Sequence, residues 1–261
     1  MEERVFEMEN QIQVATKFML YPYFKLDINA TEDEIIWKAL DRAYADATNE
    51  GAYNTRLYDD MKNPTEAEKK KRKNASDKMK NQATGHIRAF LKGLDSFENE
   101  DAFDEEHRKV CQTLVEGYEK SLGIRKFTYG NAQKWVNMTL KYLYLLGGAY
   151  CACGCTKAFQ ASINRCKAWL HVPIDSYIIE ALYKEINLPR RKDGRDPARI
   201  KELAYNTIQG DLIPWSQWEK DHYISVFSSI REYGQSLSDT DCALVWENKA
   251  WIKVAKRRKG N

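Results

Sequence analysis

The stretch FTYGNAQKWVNMTLKYL, residues 127–143, decides the fold class and contains the candidate site. Its pattern predicts a mostly apolar helix, yet two lysines, two asparagines and a glutamine stand among its aromatic residues. Polar groups inside an otherwise buried helix are costly unless they are paired or used. The polar residues of this helix are therefore the first candidates for a function.

Helical patterns recur along the rest of the chain, separated by proline and glycine. Thr31 and Glu34 have the spacing of a capping box, in which two side chains satisfy the first amides of a helix. We predict an irregular all-α bundle of about ten helices with few or no strands. The helices are expected near residues 1–20, 31–43, 64–85, 86–94, 104–122, 129–147, 156–169, 174–187, 197–208, 214–233 and 242–256.

The chain is expected to form a single helical domain over residues 1–261, with a division into 1–125 and 126–261 as the alternative. No apolar run reaches the roughly 18–20 residues that a membrane span needs, and no signal peptide is recognisable at the start. We therefore expect a cytoplasmic protein whose six cysteines are reduced thiols. The sequence has no Walker loop and no dinucleotide fingerprint, so ATP-driven and Rossmann redox chemistry are disfavoured and no cofactor is predicted.

Two lysines of the central helix are candidates for chemistry. If the helix begins at Asn131, one face contains Lys134, Asn137, Met138 and Lys141. Burial favours the uncharged amine of a lysine, which can then act as a nucleophile or a base. A lysine can equally bind a phosphate as a point charge. The alternative is that both side chains extend from the rim of a core helix to solvent.

A second stretch, HVPIDSY at residues 171–177, places a carboxylate at the start of a predicted helix. Pro173 suits the approach to a helix, and Asp175 lies in its first turn, where the helix dipole favours a negative charge. Asp175 is therefore either a helix cap or a carboxylate that is held beside the lysine helix.

Lys134, in a glycine-containing turn into a helix, together with the later VPID at residues 172–175, resembles the helix-hairpin-helix DNA glycosylase superfamily. The resemblance implies an all-helical fold and a nucleic-acid partner. It also implies that Lys134 is the nucleophile that forms a Schiff base and that Asp175 stabilises positive charge on the sugar. The family hairpin, Gly-apolar-Gly, corresponds to Gly130–Ala132, and the separation of lysine and aspartate is longer here, at forty-one residues.

This interpretation predicts a protein that acts on nucleic acid, most concretely a base-excision glycosylase and lyase. The residues expected to contact nucleic acid are Tyr129, Asn131, Gln133, Asn137, Lys141 and Arg231. For Arg231, an ion pair with Glu247 is the alternative. The alternative function is a non-catalytic helical interaction or nucleic-acid-binding protein, in which the helix at 127–145 is only core.

Cysteines and tryptophans near these stretches are assigned to structure. A zinc site would need four ligands, and the candidate cluster is Cys151, Cys153, Cys155 and Cys166. A single residue separates the neighbouring cysteines of the first three, which is too close for a zinc knuckle, so no metal is predicted. Tryptophan can stack on a base, but it more often fills a core, and core packing is expected for Trp215, Trp218, Trp246 and Trp251.

Positive charge is concentrated in two parts of the sequence. Residues 62–92 contain ten Lys/Arg against three acids, and Lys253 to Lys259 adds five positive charges. Such a stretch can neutralise phosphates. The alternative is a solvated helix face that pairs with residues 93–119, which contain nine acids against two bases.

If the face formed by residues 62–92 contributes to nucleic-acid binding, affinity should fall steeply between about 50 and 200 mM salt, because each neutralised phosphate releases condensed counterions. Fluorescence anisotropy of a labelled duplex at several salt concentrations measures the slope. Affinity that does not change with salt, or no binding at all, would favour the interaction protein.

Overall fold

The computed structural model describes residues 2–48, 64–122, 127–186, 214–235 and 242–260. Within these ranges the protein is a bundle of nine α-helices without a strand, which confirms the predicted all-α class. The helices are α1 (Glu2–Phe24), α2 (Glu32–Thr48), α3 (Glu66–Lys92), α4 (Glu100–Leu122), α5 (Tyr129–Ala152), α6 (Ala158–Arg165), α7 (Ser176–Ile186), α8 (Lys220–Gln235) and α9 (Ala243–Arg258). The helix predicted at 197–208 lies outside the described residues.

The central element is α5, in which every residue from Tyr129 to Leu143 is buried. Helices α2, α4, α6 and α8 pack against it, and α1 contacts it as well. The indole of Trp135 is fully buried, and its N–H donates to the Leu40 carbonyl at 3.0 Å, which joins α5 to α2. A helix surrounded in this way presents its polar side chains to neighbouring helices and not to bulk solvent.

Local signals in the sequence account for several helix starts. The Thr31 amide donates to the Glu34 carboxylate at 2.7 Å, and the Glu34 amide donates to the Thr31 hydroxyl at 3.3 Å. This is the predicted capping box, and Thr65 and Glu68 form a second one at the start of α3. Each box satisfies amides that the first turn of a helix leaves without a partner.

Three predicted boundaries are wrong for identifiable reasons. Helix α1 was predicted to stop before Tyr21 but continues through Pro22 to Phe24. Its last turn is closed by the Lys25 amide, which donates to the Tyr21 carbonyl at 2.8 Å. Helix α3 passes through Gly85 without a break, because its buried apolar residues continue on both sides of the glycine. The helix expected from residue 214 is interrupted, since Trp215–Gln217 forms a 3-10 turn before α8 begins.

The basic stretch forms most of α3, and its observed ion pairs reach a different partner from the one expected. Lys80 pairs with Asp41 at 2.6 Å, and Arg88 pairs with Asp33, so both contacts join α3 to α2. Several other lysines of α3 are exposed: Lys70, Lys71, Lys73, Lys78 and Lys92. Among the described ion pairs, none links α3 to the acidic residues 93–119.

Gly130 serves close packing and not a hairpin. Residues Gly130–Ala132 lie in the first turn of α5, after the N-cap Thr128. The Gly130 amide donates to the Trp218 carbonyl at 3.0 Å, and a Cβ at this position would lie 1.9 Å from the Trp215 carbonyl oxygen. The expected correspondence of Gly130–Ala132 with the glycosylase hairpin is therefore wrong.

Replacing Gly130 by Ala should destabilise the protein by roughly 1–3 kcal/mol, because the new methyl group forces the backbone of the 3-10 turn away from α5. Gly148→Ala is the matched control, since Gly148 lies on the same helix with no neighbour within 4 Å of an added Cβ. That change should stabilise by about 0.5–1 kcal/mol. Urea unfolding of the three proteins measures the differences, and a Gly130→Ala variant as stable as the wild type would contradict the packing argument.

Candidate functional site

A cleft of about 810 Å³ runs along α5 and is walled by α1, α2 and α9. Its floor consists of residues that share one face of α5, at spacings of three and four: Lys134, Met138, Lys141 and Leu145. Aromatic and aliphatic side chains form most of the walls: Met19, Leu20, Tyr23, Phe24, Tyr142, Trp251 and Ile252. Charged groups are thus set into an otherwise apolar cleft.

Lys134 and Asp175 meet at this cleft although they are far apart in the sequence. The Lys134 ammonium donates to Asp175 Oδ2 at 2.9 Å, and both side chains line the cleft. The Lys134 side chain is only 9% exposed and that of Asp175 is 14% exposed. The Lys134 ammonium also lies 4.6 Å from the centre of the Trp215 ring, which gives it a cation–π contact.

Asp175 uses its two carboxylate oxygens for two different tasks. Oδ1 accepts the amides of Tyr177 and Ile178 at 2.9 and 3.1 Å, which makes Asp175 the N-cap of α7. Oδ2 is directed at Lys134. The two roles considered from the sequence therefore coexist, and the cap fixes the orientation of the oxygen that faces the cleft.

Gln133 holds the segment that carries Asp175. Its side-chain N–H donates to the Ile174 carbonyl at 3.2 Å, and its side-chain oxygen accepts the Ile174 amide at 3.5 Å. Gln133 directly precedes Lys134, and Ile174 directly precedes Asp175. These two hydrogen bonds therefore align the two backbones at Gln133 and Ile174, directly before the residues that form the ion pair.

A second lysine and carboxylate lie further along the cleft. Lys141 pairs with Glu247 of α9 at 2.6 Å, and the Glu247 side chain is 1% exposed. Burial raises the pKa of Glu247 to about 7, although the positive charge of Lys141 acts in the opposite direction. Glu247 therefore changes its charge near neutral pH.

A third polar group lines the α2 side of the cleft. The Tyr142 hydroxyl donates to Asp46 and lies 3.1 Å from the Tyr23 hydroxyl. Arg42 pairs with Asp46 at 3.3 Å, and its guanidinium lies 4.6 Å from the centre of the Tyr23 ring. Burial, reinforced by Asp46, raises the pKa of Tyr142, so its hydroxyl stays protonated.

A buried polar network occupies the other side of α5. The Asn137 amide donates to the Tyr223 hydroxyl at 2.9 Å and to the Val172 carbonyl at 3.0 Å. His171 contacts the Tyr223 hydroxyl at 2.8 Å and Asp104 at 2.7 Å. Burial lowers the pKa of His171 to about 4 although Asp104 opposes the change, so the imidazole is neutral at pH 7. The network connects α4, α5 and α8 around the segment that precedes Asp175.

Of the residues predicted to contact nucleic acid, only Lys141 lines the cleft. Asn137 was expected on the face of Lys134, but it points into the network with Gln133, and both are fully buried. Tyr129 and Asn131 are buried as well, and Asn131 donates to the Ala47 carbonyl at 2.9 Å. Because all four side chains are buried inside the fold, the structure argues against the contact role predicted for them.

Arg231 is the sixth of the predicted contacts, and it also has an internal partner. Its guanidinium pairs with Asp104 at 2.9 Å and with Glu100 at 3.2 Å. The expected alternative, an ion pair with Glu247, is wrong because Lys141 occupies that carboxylate. Although burial opposes it, hydrogen bonds from His171 and Arg231 lower the pKa of Asp104, so this carboxylate stays charged.

The cysteine cluster does not converge on a common point. The Cys166 thiol is buried and contacts the Leu94 carbonyl at 3.5 Å, whereas the Cys153 thiol contacts the Gln13 carbonyl at 3.9 Å. Cys155 is directed at the carbonyl of Cys153, and Cys151 is exposed. Within the described residues, no three or more His, Cys, Asp or Glu side chains are grouped so that they could hold a metal ion.

The four tryptophans divide between core and cleft. Trp218 and Trp246 are buried, as expected for core residues. Trp215 is half-buried and packs against the core, as expected, while its ring lies under the Lys134 ammonium. Trp251 is 37% exposed and lines the cleft, so the expectation of core packing is wrong for this residue.

Sequence patterns did not place Glu247, Arg42 or Asp46 at the site, because these residues come from helices far from α5 in the chain. A signal for Glu247 exists, since it is the only acid of α9 and stands at an apolar position of that helix, between Leu244 and Trp251. Arg42 and Asp46 have the spacing of an ordinary surface pair, and only the packing of α2 on α5 places them at the cleft.

Comparisons of the chain with protein-family models, curated proteins and solved structures gave no match. In the described ranges, no helix is both long enough and apolar enough to cross a membrane. The function of the cleft is therefore inferred from its geometry and chemistry.

Replacing Glu247 by Gln should change how stability depends on pH. The pKa of Glu247 in the folded protein, about 7, lies above its usual value of 4.5, so the folded state keeps a proton that the unfolded chain loses. The contribution of Glu247 to stability is therefore present below pH 4.5 and lost as the pH rises through about 7. The loss is about 3 kcal/mol at most.

Urea unfolding of wild-type and Glu247→Gln proteins at pH 5 and pH 7.5 tests this. We expect the variant to gain stability relative to the wild type as the pH rises. Other titrating groups, including His171, are common to both proteins and cancel in the comparison. Parallel curves for the two proteins would contradict the assignment.

Proposed function

We propose that the protein is a base-excision enzyme of the glycosylase and lyase type, with Lys134 as nucleophile and Asp175 as the assisting carboxylate. The observation that carries the proposal is the 2.9 Å contact between Lys134 and Asp175 on the floor of the cleft. The cleft volume, about 810 Å³, lies within the range of roughly 300–1,000 Å³ that is typical of ligand sites.

The proposed chemistry begins with Lys134 as the free amine, after its ammonium has lost a proton to solvent in the cleft. The amine forms a bond to C1′ of the sugar while the bond from C1′ to the base breaks, and the electron pair leaves with the base. A second proton, released from the lysine nitrogen, neutralises the departing base. The sugar ring then opens, its oxygen takes a proton from solvent, and C1′ remains joined to Lys134 as a protonated imine.

Asp175 remains a carboxylate throughout and stabilises the positive charge that develops at C1′. Its position supports this role, because the amides of α7 hold one oxygen while the other faces Lys134. The side chain of Gln133 holds Ile174, the residue before Asp175, through the backbone amide and carbonyl of Ile174. A charge held in this way stabilises a transition state without reorganising during the reaction.

The surroundings of the cleft suit a base that is turned out of a nucleic-acid strand. Enzymes that act on a base place it in a pocket between aromatic or apolar side chains, and Tyr23, Tyr142 and Trp251 provide such walls. Helix α9, which borders the cleft, carries exposed cations at Lys249 and Lys256, although neither lines the cleft itself. Cations on this helix can neutralise phosphates of a strand that reaches the cleft. The exposed lysines of α3 do not line the cleft.

Borohydride trapping tests the proposal, since it reduces the imine to a stable amine. The wild-type protein should form a covalent product with a duplex that contains an abasic site, and with at least one member of a panel of damaged bases. Lys134→Ala should abolish the product. Asp175→Asn keeps a good helix cap but removes the charge, and it should slow the reaction roughly 100-fold.

Lys141→Gln is the matched control, because Lys141 lies on the same face of α5, lines the same cleft and is also ion-paired. At saturating protein this variant should still form the product. Circular dichroism melts establish that each variant is folded. A product that survives Lys134→Ala, or a wild-type protein that is never trapped, would rule out the proposed chemistry.

A non-catalytic interaction protein is the second candidate, and the surface of α1 favours it. Val14, Phe18 and Tyr21 are spaced to share one side of this helix, and they are 65%, 73% and 63% exposed. Exposed apolar side chains that lie together are typical of surfaces that bind other proteins. Such a function needs no lysine chemistry, so the absence of a trapped product with every substrate would favour it.

A further inference from the structure

Trp251 belongs to a stack of three side chains at the edge of the cleft. Its ring lies 4.9 Å from that of Tyr177, with 23° between the two planes. The guanidinium of Arg258 lies 4.0 Å from the centre of the Tyr177 ring. Arginine and tyrosine together therefore support the indole of a residue that is itself 37% exposed.

The stack is fixed by polar contacts between α7 and α9. Arg258 donates to the Glu180 carboxylate at 2.8 Å and to the Ser176 carbonyl at 3.1 Å. Arg257 donates to the same carboxylate at 2.8 Å. Because Tyr177 contacts both Arg258 and Trp251, these bonds restrict the aromatic rings as well. A ring that is ordered in advance loses little conformational entropy when a ligand binds.

The stack is directly connected to the site of the proposed chemistry. The Tyr177 amide donates to Asp175 at 2.9 Å, and Asp175 contacts Lys134. Trp251 lines the same cleft as both groups. Since Tyr177 covers one side of the indole, the part of Trp251 that borders the cleft is the surface left for a ligand.

We propose that Trp251 is the platform on which a nucleic-acid base stacks when it enters the cleft. This inference rests on the proposed function, because it names the ring surface that would hold the base beside Lys134 and Asp175. Stacking needs a flat ring, and every nucleobase provides one. The platform therefore selects for planar heteroaromatic rings as a class and not for a particular base.

Polar groups near the platform would read the edge of the stacked ring. Asn248 lies one turn before Trp251 and Ile252 on α9, and it also lines the cleft. An amide side chain can donate and accept a hydrogen bond at the same time, as in its bidentate contact with a base edge. Such a side chain favours a base that presents a donor and an acceptor side by side.

The closing experiment uses a short single strand in which one 2-aminopurine stands among thymidines. The fluorescence of 2-aminopurine falls when its ring stacks on another aromatic ring, so a titration with full-length protein measures both stacking and affinity. Trp251→Ala should weaken binding roughly 5- to 150-fold and remove most of the quenching. Trp251→Phe keeps an aromatic ring and should lose less.

Trp37→Ala is the matched control, because Trp37 is 40% exposed, similar to Trp251, but does not line the cleft. It should bind the strand as the wild type does. Equal affinity and equal quenching for Trp251→Ala and the wild type would overturn the proposal. The free 2-aminopurine nucleoside forms a second arm, and it should bind more weakly than the strand, because it lacks the flanking phosphates. Equal affinity would overturn the assignment to a nucleic-acid base.

Failure of the platform and failure of the proposed chemistry give different results. An abasic duplex has no base to stack at the reacting sugar, so Trp251→Ala should retain borohydride trapping on it if Lys134 is the nucleophile. If Lys134→Ala loses trapping while Trp251→Ala binds the strand as the wild type does, the stacking role of Trp251 is contradicted and the lysine chemistry is still supported. If quenching depends on Trp251 but no product is trapped, the lysine chemistry is contradicted and the stacking role of Trp251 is still supported.

Discussion

The burial of α5 is the constraint on which the rest of the structure depends. A helix that is buried from Tyr129 to Leu143 but contains six polar or charged side chains, tyrosines aside, must find an internal partner for each one. Lys134 therefore needs Asp175, and Lys141 needs Glu247. Because these partners come from separate parts of the chain, the polar pairs help to orient α7 and α9 against α5.

The two sides of α5 have different roles, one in support and one in the candidate site. On the closed side, Gln133 and Asn137 bond to the backbone of the segment that ends at Asp175. On the cleft side, Lys134 meets the carboxylate that this segment delivers. A functional group needs support from residues that do not touch the ligand, and here one helix provides both the group and its support. Loss of the closed-side bonds would therefore disturb the ion pair without altering either of its members.

Local sequence signals predicted the helices and pointed to three residues of the candidate site, Lys134, Lys141 and Asp175. Thr31 and Glu34 lie three residues apart, so their capping box can be recognised without any tertiary contact. Lys134 and Asp175 stood out because each is a charged residue at or near a helix start. Long-range packing decided the rest: whether Asn137 turns to the cleft, and whether Trp251 reaches it, depends on how α8 and α9 approach α5.

The charged groups of the cleft are not explained by stability. Removing two charges from water costs several kcal/mol per ion, and apolar residues of similar volume often replace a buried ion pair without loss. Glu247, whose pKa is raised to about 7 by burial, bears this cost directly. Two such pairs, Lys134–Asp175 and Lys141–Glu247, lie in one cleft that is otherwise lined by apolar and aromatic groups. Local arrangements that oppose stability are expected where a protein acts on a ligand, and this makes the cleft, more than any other described surface, the place to look for the function.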